Sequence, residues 1–146
     1  MNETVIFTFD FSSTFTVTPP EFCIKHNSNV VYDVTPVNDF LHVELPIELP
    51  ITRNDTCILE VERSGFDSIN EQLLRIDKVA VDGINLKKIC YSSKFYPIYP
   101  EPWISEQKAI GKIWPEFHYG WVEWGWNGKW VLKYQTPIYT WLLENV

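Results

Sequence analysis

The chain has 146 residues, 45% of them hydrophobic, which is enough for one folded domain spanning residues 1–146. Its net charge of −7 disfavours nucleic acid as a partner, because the phosphate backbone is also negative. No apolar run approaches the length of a membrane span, and the start of the chain lacks the basic stretch of a secretion signal. We therefore expect a folded domain that binds neither nucleic acid nor membrane.

Alternation of apolar and polar residues predicts strands in the first half of the chain. Phe7, Phe9 and Phe11 recur at every second position, which indicates a half-buried strand with its phenylalanines facing the core. The stretches 41–45 and 57–61 alternate in the same way, and the second of them puts Cys57, Leu59 and Val61 inward. The prolines lie where loops or edge strands are expected, at Pro19, Pro20, Pro36, Pro46 and Pro50.

Turn signals divide the second half. Asp82-Gly83 predicts a hairpin between a strand over 73–81 and a returning strand over 84–91. The proline-rich stretch 96–103 predicts an extended aromatic loop, and 104–115 a further loop with one helical turn near 106–109. The end of the chain, 137–145, fits a short helix or a strand equally. Many short strands with frequent turns predict an all-β fold, an antiparallel β-sandwich or jelly roll with long Pro- and aromatic-rich loops.

Asn127-Gly128 is the strongest local turn signal, and as a two-residue hairpin loop it sets the register of its flanks. That register sorts the side chains into two faces. The face assigned to the core carries Trp121, Glu123, Gly125, Trp130, Leu132 and Tyr134. The face assigned to a contact surface carries Val122, Trp124, Trp126, Lys129, Val131 and Lys133.

Two interpretations of the tryptophans on the second face stay open. In the first, Trp124 and Trp126 form an exposed aromatic platform beside Lys129, of the kind that suits sugar stacking and protein contacts alike. In the second, the proline-rich loop covers these rings, with Trp103 and Trp114 packed over them. Both interpretations place the candidate binding residues in the same set: Trp103, Trp114, Trp124, Trp126 and Lys129.

The chain lacks the motifs of common catalytic sites. It contains neither a nucleophile elbow nor a glycine-rich phosphate-binding loop. Its three cysteines, Cys23, Cys57 and Cys90, lack zinc-site spacing and fit small buried hydrophobes in a reducing setting. The acidic stretch holding Asp67, Asn70, Glu71 and Asp77 fits either oxygen ligands for Ca²⁺ or a solvated loop. His42 lies in an alternating strand and is expected to face solvent. We expect a protein that is not an enzyme and holds no cofactor or metal.

Two stretches together resemble a family. The first is LRIDKVAVDGINL (74–86) followed by YPIYP (96–100), and the second is WNGKW (126–130) followed by TPIYTWLLEN (136–145). They resemble small β-sandwich proteins encoded by marine tailed phages. The pattern IDxVxVDGI is also similar to the closing strand of calcium-dependent xylan-binding modules, which are jelly rolls, although the acidic ligands of those modules do not recur here in order.

The resemblance implies a domain displayed on a virion. The first functional hypothesis is a non-enzymatic virion structural protein, associated with a capsid surface, neck, tail or fibre. Its partners would be other virion proteins and copies of itself, and its location the virion after assembly in the host cytoplasm. The alternative is a carbohydrate-binding module that recognises host-surface glycans through exposed tryptophans.

Overall fold

A computed structural model describes residues 2–52 and 54–145, and within them the chain is mostly antiparallel strand. The strands are β1 (Asn2–Phe15), β2 (Glu21–His26), β3 (Asn29–Pro36), β4 (Phe40–Pro50), β5 (Thr56–Ser64), β6 (Gln72–Val81), β7 (Ile84–Asn85), β8 (Lys94–Pro97), β9 (His118–Tyr119), β10 (Glu123–Trp124) and β11 (Gly128–Gln135). The helices are a 3₁₀ helix (Ile89–Ser92), α1 (Trp103–Ala109) and α2 (Ile138–Asn145).

The strands form two sheets. The first has the order β10-β6-β1-β4, with β7 paired to β6, and the second has the order β3-β2-β5-β11-β8-β9. Every pairing recorded between these strands is antiparallel. The two-sheet antiparallel architecture confirms the predicted all-β sandwich.

The core lies between the inner faces of the two sheets. From the first sheet, β1 contributes the buried phenylalanines Phe7, Phe9 and Phe11, as the alternation predicts. The ring of Phe9 meets Trp130 of the second sheet edge-on, with centroids 6.2 Å apart, and Phe11 lies 4.1 Å from Phe22. Trp130, Leu132 and Tyr134 are buried, so this part of the predicted core is confirmed. Edge-on and offset ring pairs of this kind add to the stabilisation from burial alone.

The edge strand β4 accommodates its prolines at no cost in hydrogen bonds. Pro46 lies opposite Ile6 of β1. The backbone of Ile6 is engaged on the other side, since its N–H donates to Asp82 Oδ1 and its carbonyl accepts from the Asp82 N–H, both at 2.8 Å. Position 46 therefore points its nitrogen away from β1, where a missing N–H breaks no ladder bond and leaves the edge less open to pairing.

The predicted Asp82-Gly83 hairpin is confirmed, but its second strand is short. Both turn residues have positive φ, 46° and 82°, as a type I′ turn requires. The strand predicted over 84–91 is wrong beyond Asn85. There the Asn85 side chain accepts the N–H of Lys87 at 2.9 Å, a local turn that ends the strand, and the chain continues into the 3₁₀ helix.

The hairpin predicted at Asn127-Gly128 is wrong. Neither residue has a positive φ, so the turn is not of the predicted type. β10 pairs with β6 of the first sheet, whereas β11 pairs with β5 and β8 of the second. The turn thus carries the chain from one sheet to the other. The glycine at 128 is required for packing, because an added Cβ would lie 2.5 Å from Phe95 Cζ.

The remaining elements refine the predictions for the second half. Residues 94–97 form β8, so the loop predicted over 96–103 begins at residue 98, two residues later than predicted. The helical turn predicted near 106–109 extends to the whole of α1, none of whose residues is buried. The end of the chain is helical, and α2 buries Ile138 and Leu142. None of the described helices is long and apolar enough to cross a membrane.

Candidate functional site

Residues 98–121, here called the aromatic segment, run along the surface without burying a side chain. The segment contains α1 and β9 and lies between two strands of the second and first sheets, β8 and β10. It is nevertheless rich in large apolar residues. Ile98 and Ile110 are two-thirds exposed, and Ile113 is 93% exposed. Single exposed apolar residues are common, whereas several of them in one segment make that segment a candidate contact surface.

Four rings at the start of this segment and beside it form the aromatic cluster: Tyr99, Trp103, Trp114 and Trp126. Trp103 lies at its centre, with ring centroids 5.0 Å from both Trp114 and Trp126. Tyr99 closes the cluster from the other side, 5.3 Å from Trp126. Three of the five predicted binding residues are thereby brought together. Trp103 packs on Trp126, and Trp114 joins the cluster through its contact with Trp103.

Hydrogen bonds fix two members of the cluster and leave the other two indoles available. Trp114 Nε1 donates to Gln107 Oε1 at 3.2 Å, and the Tyr99 hydroxyl donates to the Pro115 carbonyl at 2.5 Å. Among the described residues, the indole N–H groups of Trp103 and Trp126 donate to no protein group, and neither atom is enclosed. Both can therefore donate to a ligand, in addition to the apolar contact that their rings offer.

Trp121 and Trp124 exchange the roles that the sequence predicts for them. Trp124, predicted to be exposed, is 1% exposed and stacks on Phe95 at 4.9 Å. Trp121, predicted to be in the core, is 42% exposed and stacks on His118 at 3.6 Å. The reason is the pairing of β10 with β6, which turns the side chain of Trp124 between the sheets. There its Nε1 donates to the Trp121 carbonyl at 2.9 Å.

Lys129 lies apart from the aromatic cluster, on the outer face of the second sheet. Its ammonium is 3.3 Å from Glu60 and 3.8 Å from Glu62, and Glu62 also pairs with Lys25 at 3.0 Å. The charge of Lys129 is thus already matched within a solvated ion-pair network. Lys129 also lines a groove whose wall includes Asn127, the residue after Trp126, so its place on a binding surface shared with the tryptophans stays a prediction.

His118 connects the aromatic cluster to the rest of the segment. Its Nε2 lies 3.1 Å from the Tyr99 hydroxyl, while its ring stacks on Trp121. Partial burial lowers the pKa of His118 and raises that of Tyr99. The Lys94 ammonium of β8 lies 4.6 Å from the centre of the Phe117 ring, and this cation–π contact joins β8 to the aromatic segment.

A groove of about 640 Å³ adjoins the aromatic cluster. Tyr96, Pro97 and Ile98 form its apolar wall, and Asn127 lies at the point where groove and cluster meet. Its volume falls in the usual range for ligand sites, and its mixture of apolar and polar walls is also typical.

The residues considered for metal and thiol chemistry are the Asp67 loop and the cysteines. No group of three His, Cys, Asp or Glu side chains that could hold a metal ion occurs among residues 2–52 and 54–145. The Asp67 carboxylate is engaged in its own loop. It accepts from the Asn70 side-chain amide and from the backbone N–H groups of Ile69 and Asn70, and these hydrogen bonds lower its pKa. Burial raises the pKa of Cys90 to about 11, which keeps this thiol protonated and unreactive at neutral pH.

Comparisons of the chain with models of protein families, with curated proteins and with solved structures found no match. Sequence reasoning missed Tyr99 and the exposed isoleucines of the aromatic segment, although the Tyr-Pro spacing at 96–100 and the motif Ile110-Gly111-Lys112-Ile113-Trp114 were signals for both.

Proposed function

We propose that the protein is a non-enzymatic virion structural protein, of the decoration, neck, tail or fibre-associated kind, that acts through protein–protein contacts of its aromatic segment. The observation that carries this proposal is the exposure of Ile98, Ile110 and Ile113 beside the aromatic cluster. Burying one such side chain against a partner stabilises the complex by about 1.5–3 kcal/mol before the costs of association.

The aliphatic residues favour a protein partner over a sugar. A sugar ring stacks on a flat aromatic face, and isoleucine offers no such face. Protein interfaces, in contrast, combine tryptophan and tyrosine anchors with surrounding apolar contacts that exclude water. The aromatic segment has this composition, with Trp103 and Trp114 as anchors and Ile110 and Ile113 beside them in the chain.

The resemblance to marine tailed-phage proteins supports a virion as the site of action. Other virion proteins and further copies of this chain are the proposed partners, and the virion assembled in the host cytoplasm is the proposed location. A jelly-roll form of the sandwich is part of the same proposal. The prolines of the edge strand β4 disfavour association by strand pairing at this edge, which agrees with association through side chains there.

The proposal is tested by asking whether the chain enters particles through its aromatic segment. The Ile113→Asp codon change is introduced into the native gene. Virus particles are then purified from cells that produce the wild-type protein or the variant, and the amount of the chain in the particles is measured by mass spectrometry. We expect wild-type protein in the particles and a loss of about tenfold or more for Ile113→Asp, since a charge is then placed in an apolar contact.

Leu143→Asp is the matched control, because Leu143 on α2 is 87% exposed but lies outside the aromatic segment. It should enter particles like the wild type. Mass photometry of the purified proteins reports self-association of the same three chains. A wild-type chain that is monomeric and absent from particles, or equal incorporation of both variants, would refute the proposal.

Carbohydrate binding is the second candidate. It is favoured by the half-exposed rings of Trp103 and Trp126, whose indole N–H groups are free to donate to a sugar hydroxyl beside the groove. Stacked aromatic rings with adjacent donors are the usual elements of a sugar site. In this reading the protein recognises glycans on the host surface, which is compatible with a place on the virion.

A glycan array probed with and without Ca²⁺ tests this candidate. Binding should be lost in Trp103→Ala and retained in Trp121→Ala, which removes an exposed tryptophan outside the aromatic cluster. Retention of glycan binding by Trp103→Ala, or the absence of any signal for the wild type, would eliminate a sugar site at the cluster.

A further inference from the structure

Arg63 is a buried cation without a matching anion. It is the last inward-facing residue of β5 and is 2% exposed. The ion pairs of the described residues do not include it. Burial lowers the pKa of its guanidinium to about 10, so the group is still charged at neutral pH. A buried charge of this kind is costly, and an apolar residue of similar volume is often equally or more stabilising.

Neutral amides hold the guanidinium in one orientation. Nη2 donates to Gln72 Oε1 at 2.7 Å, and Nη1 donates to Asn127 Oδ1 at 2.9 Å. Gln72 is fixed in turn, since its amide donates to the carbonyls of Thr18 and Gly65, both at 2.9 Å. Arg63 is thus anchored to the sandwich on the Gln72 side and presents Nη1 to Asn127.

Asn127 joins the two pieces of chain that carry the aromatic cluster. Its carbonyl accepts the N–H of Ile98 at 2.7 Å, and Ile98 directly precedes Tyr99. On its other side Asn127 follows Trp126 in the chain. A change in the position of Asn127 therefore moves Trp126 and Tyr99, whose rings meet edge-on in the cluster with centroids 5.3 Å apart.

We propose that Arg63 is the positioning residue of the aromatic cluster, and that its guanidinium, acting through Asn127, holds Trp126 and Tyr99 in their binding arrangement. Only a planar guanidinium offers donors at a fixed angle to both Gln72 and Asn127, which the single ammonium of a lysine cannot reproduce. The inference rests on the proposed function for what the cluster binds, but the geometry that it describes can be measured without a partner.

The readouts are the exciton couplet of the packed indoles in the circular dichroism spectrum and the hydrogen exchange of the Ile98 amide. In Arg63→Met we expect the couplet to fall by about half or more. The Ile98 amide should exchange about tenfold faster relative to the Leu86 amide, which donates to Val79 in the first sheet and is remote from Asn127. Arg63→Lys should not restore either signal.

Val61→Ala is the matched control, since Val61 is a fully buried inward residue of the same strand without contact to Asn127 through a hydrogen bond. It lowers global stability but should keep the couplet and the Ile98-to-Leu86 exchange ratio. If Arg63→Met does not fold, Asn127→Ala tests the same link from the other side. Wild-type signals in the Arg63 or Asn127 variants, or equal losses in Val61→Ala, would overturn the positioning role.

The outcome is independent of the particle experiment. If Arg63→Met loses the couplet but is itself incorporated into particles like the wild type, the positioning role is upheld and a function of the cluster in assembly is contradicted. An unchanged couplet together with failed incorporation of Ile113→Asp would do the reverse.

Discussion

The core of the sandwich and the aromatic segment use the same residue types in opposite ways. In the core, the ring of Trp130 is fully buried and its Nε1 donates to Ser93 Oγ at 2.9 Å. In the segment, Trp103 and Trp114 pack on each other and stay partly exposed. The number of tryptophans in a sequence therefore predicts neither a core nor a surface, because strand pairing decides which rings lie between the sheets.

The two regions also differ in the process that their apolar surface stabilises, which is folding for the core and the proposed association for the aromatic segment. Rings between the sheets are removed from water when the chain folds, so their loss should lower the free energy of unfolding. Rings of the aromatic segment keep much of their water contact, so their loss should affect association and leave folding nearly unchanged. Substitutions matched between the regions separate these two contributions.

The largest difference is expected between two tryptophan truncations. Trp130→Ala removes a fully buried indole and leaves a cavity facing Phe9, which should lower the free energy of unfolding by about 3–5 kcal/mol. Trp114→Ala should lower it by less than about 1 kcal/mol, because this ring is already 36% exposed. Urea unfolding of both variants provides the measurement. Similar losses would show that the aromatic segment is part of the folding core.

A smaller difference is expected between Gly125, in the connection from β10 to β11, and Gly128, the first residue of β11. In Gly128→Ala the new Cβ would lie 2.5 Å from Phe95 Cζ and 2.6 Å from the Tyr96 carbonyl, an overlap that should destabilise by about 1–3 kcal/mol. In Gly125→Ala the atom nearest to the new Cβ would be the Gln72 carbonyl oxygen at 4.0 Å, so we expect the free energy of unfolding to change by no more than about 0.5 kcal/mol. Thermal unfolding compares the pair, and a larger loss for Gly125→Ala would contradict the packing described at β8.

Local patterns predicted the features that local physics determines. Period-two alternation placed Phe7, Phe9 and Phe11 correctly, because successive side chains of a strand alternate between faces whatever the strand pairs with. Asp82-Gly83 was predicted correctly because a type I′ turn depends on the φ angles of two adjacent residues. Neither prediction required knowledge of a distant partner.

The hairpin failed because its outcome depends on distant pairing. Glu123 pairs with Arg75 of β6, nearly fifty residues earlier in the chain, and no local motif encodes this choice. Arg63 is the opposite case. The alternation that puts Cys57, Leu59 and Val61 inward continues to Arg63. The same sequence pattern therefore predicts that Arg63, which holds Asn127, is a buried cation.

Two histidines extend the comparison to pH. His26 is buried beside Tyr134, with its Nε2 at 2.5 Å from the hydroxyl, and burial lowers its pKa below the ordinary value of 6.5. The unfolded chain then binds the proton more readily, so this group removes stability as the pH falls below about 6.5. The stability advantage of the wild type over His26→Gln should shrink on acidification from about pH 7.5 to about pH 5.5. A His26 pKa above 6.5 by NMR titration would contradict this.

The smallest effect is expected at His42, and its sign should be opposite. His42 is exposed on the first sheet, where hydrogen bonds to Asp10 at 2.5 Å and then to Glu44 at 3.3 Å raise its pKa. The folded chain binds the proton more tightly, so the stabilisation is complete below about pH 6.5 and is lost as the pH rises through the folded pKa. The advantage of the wild type over His42→Asn should therefore grow on acidification. Because these groups are exposed, about 1 M salt should largely remove the effect of His42 while leaving that of His26, and equal salt sensitivity would contradict the contrast between surface and core.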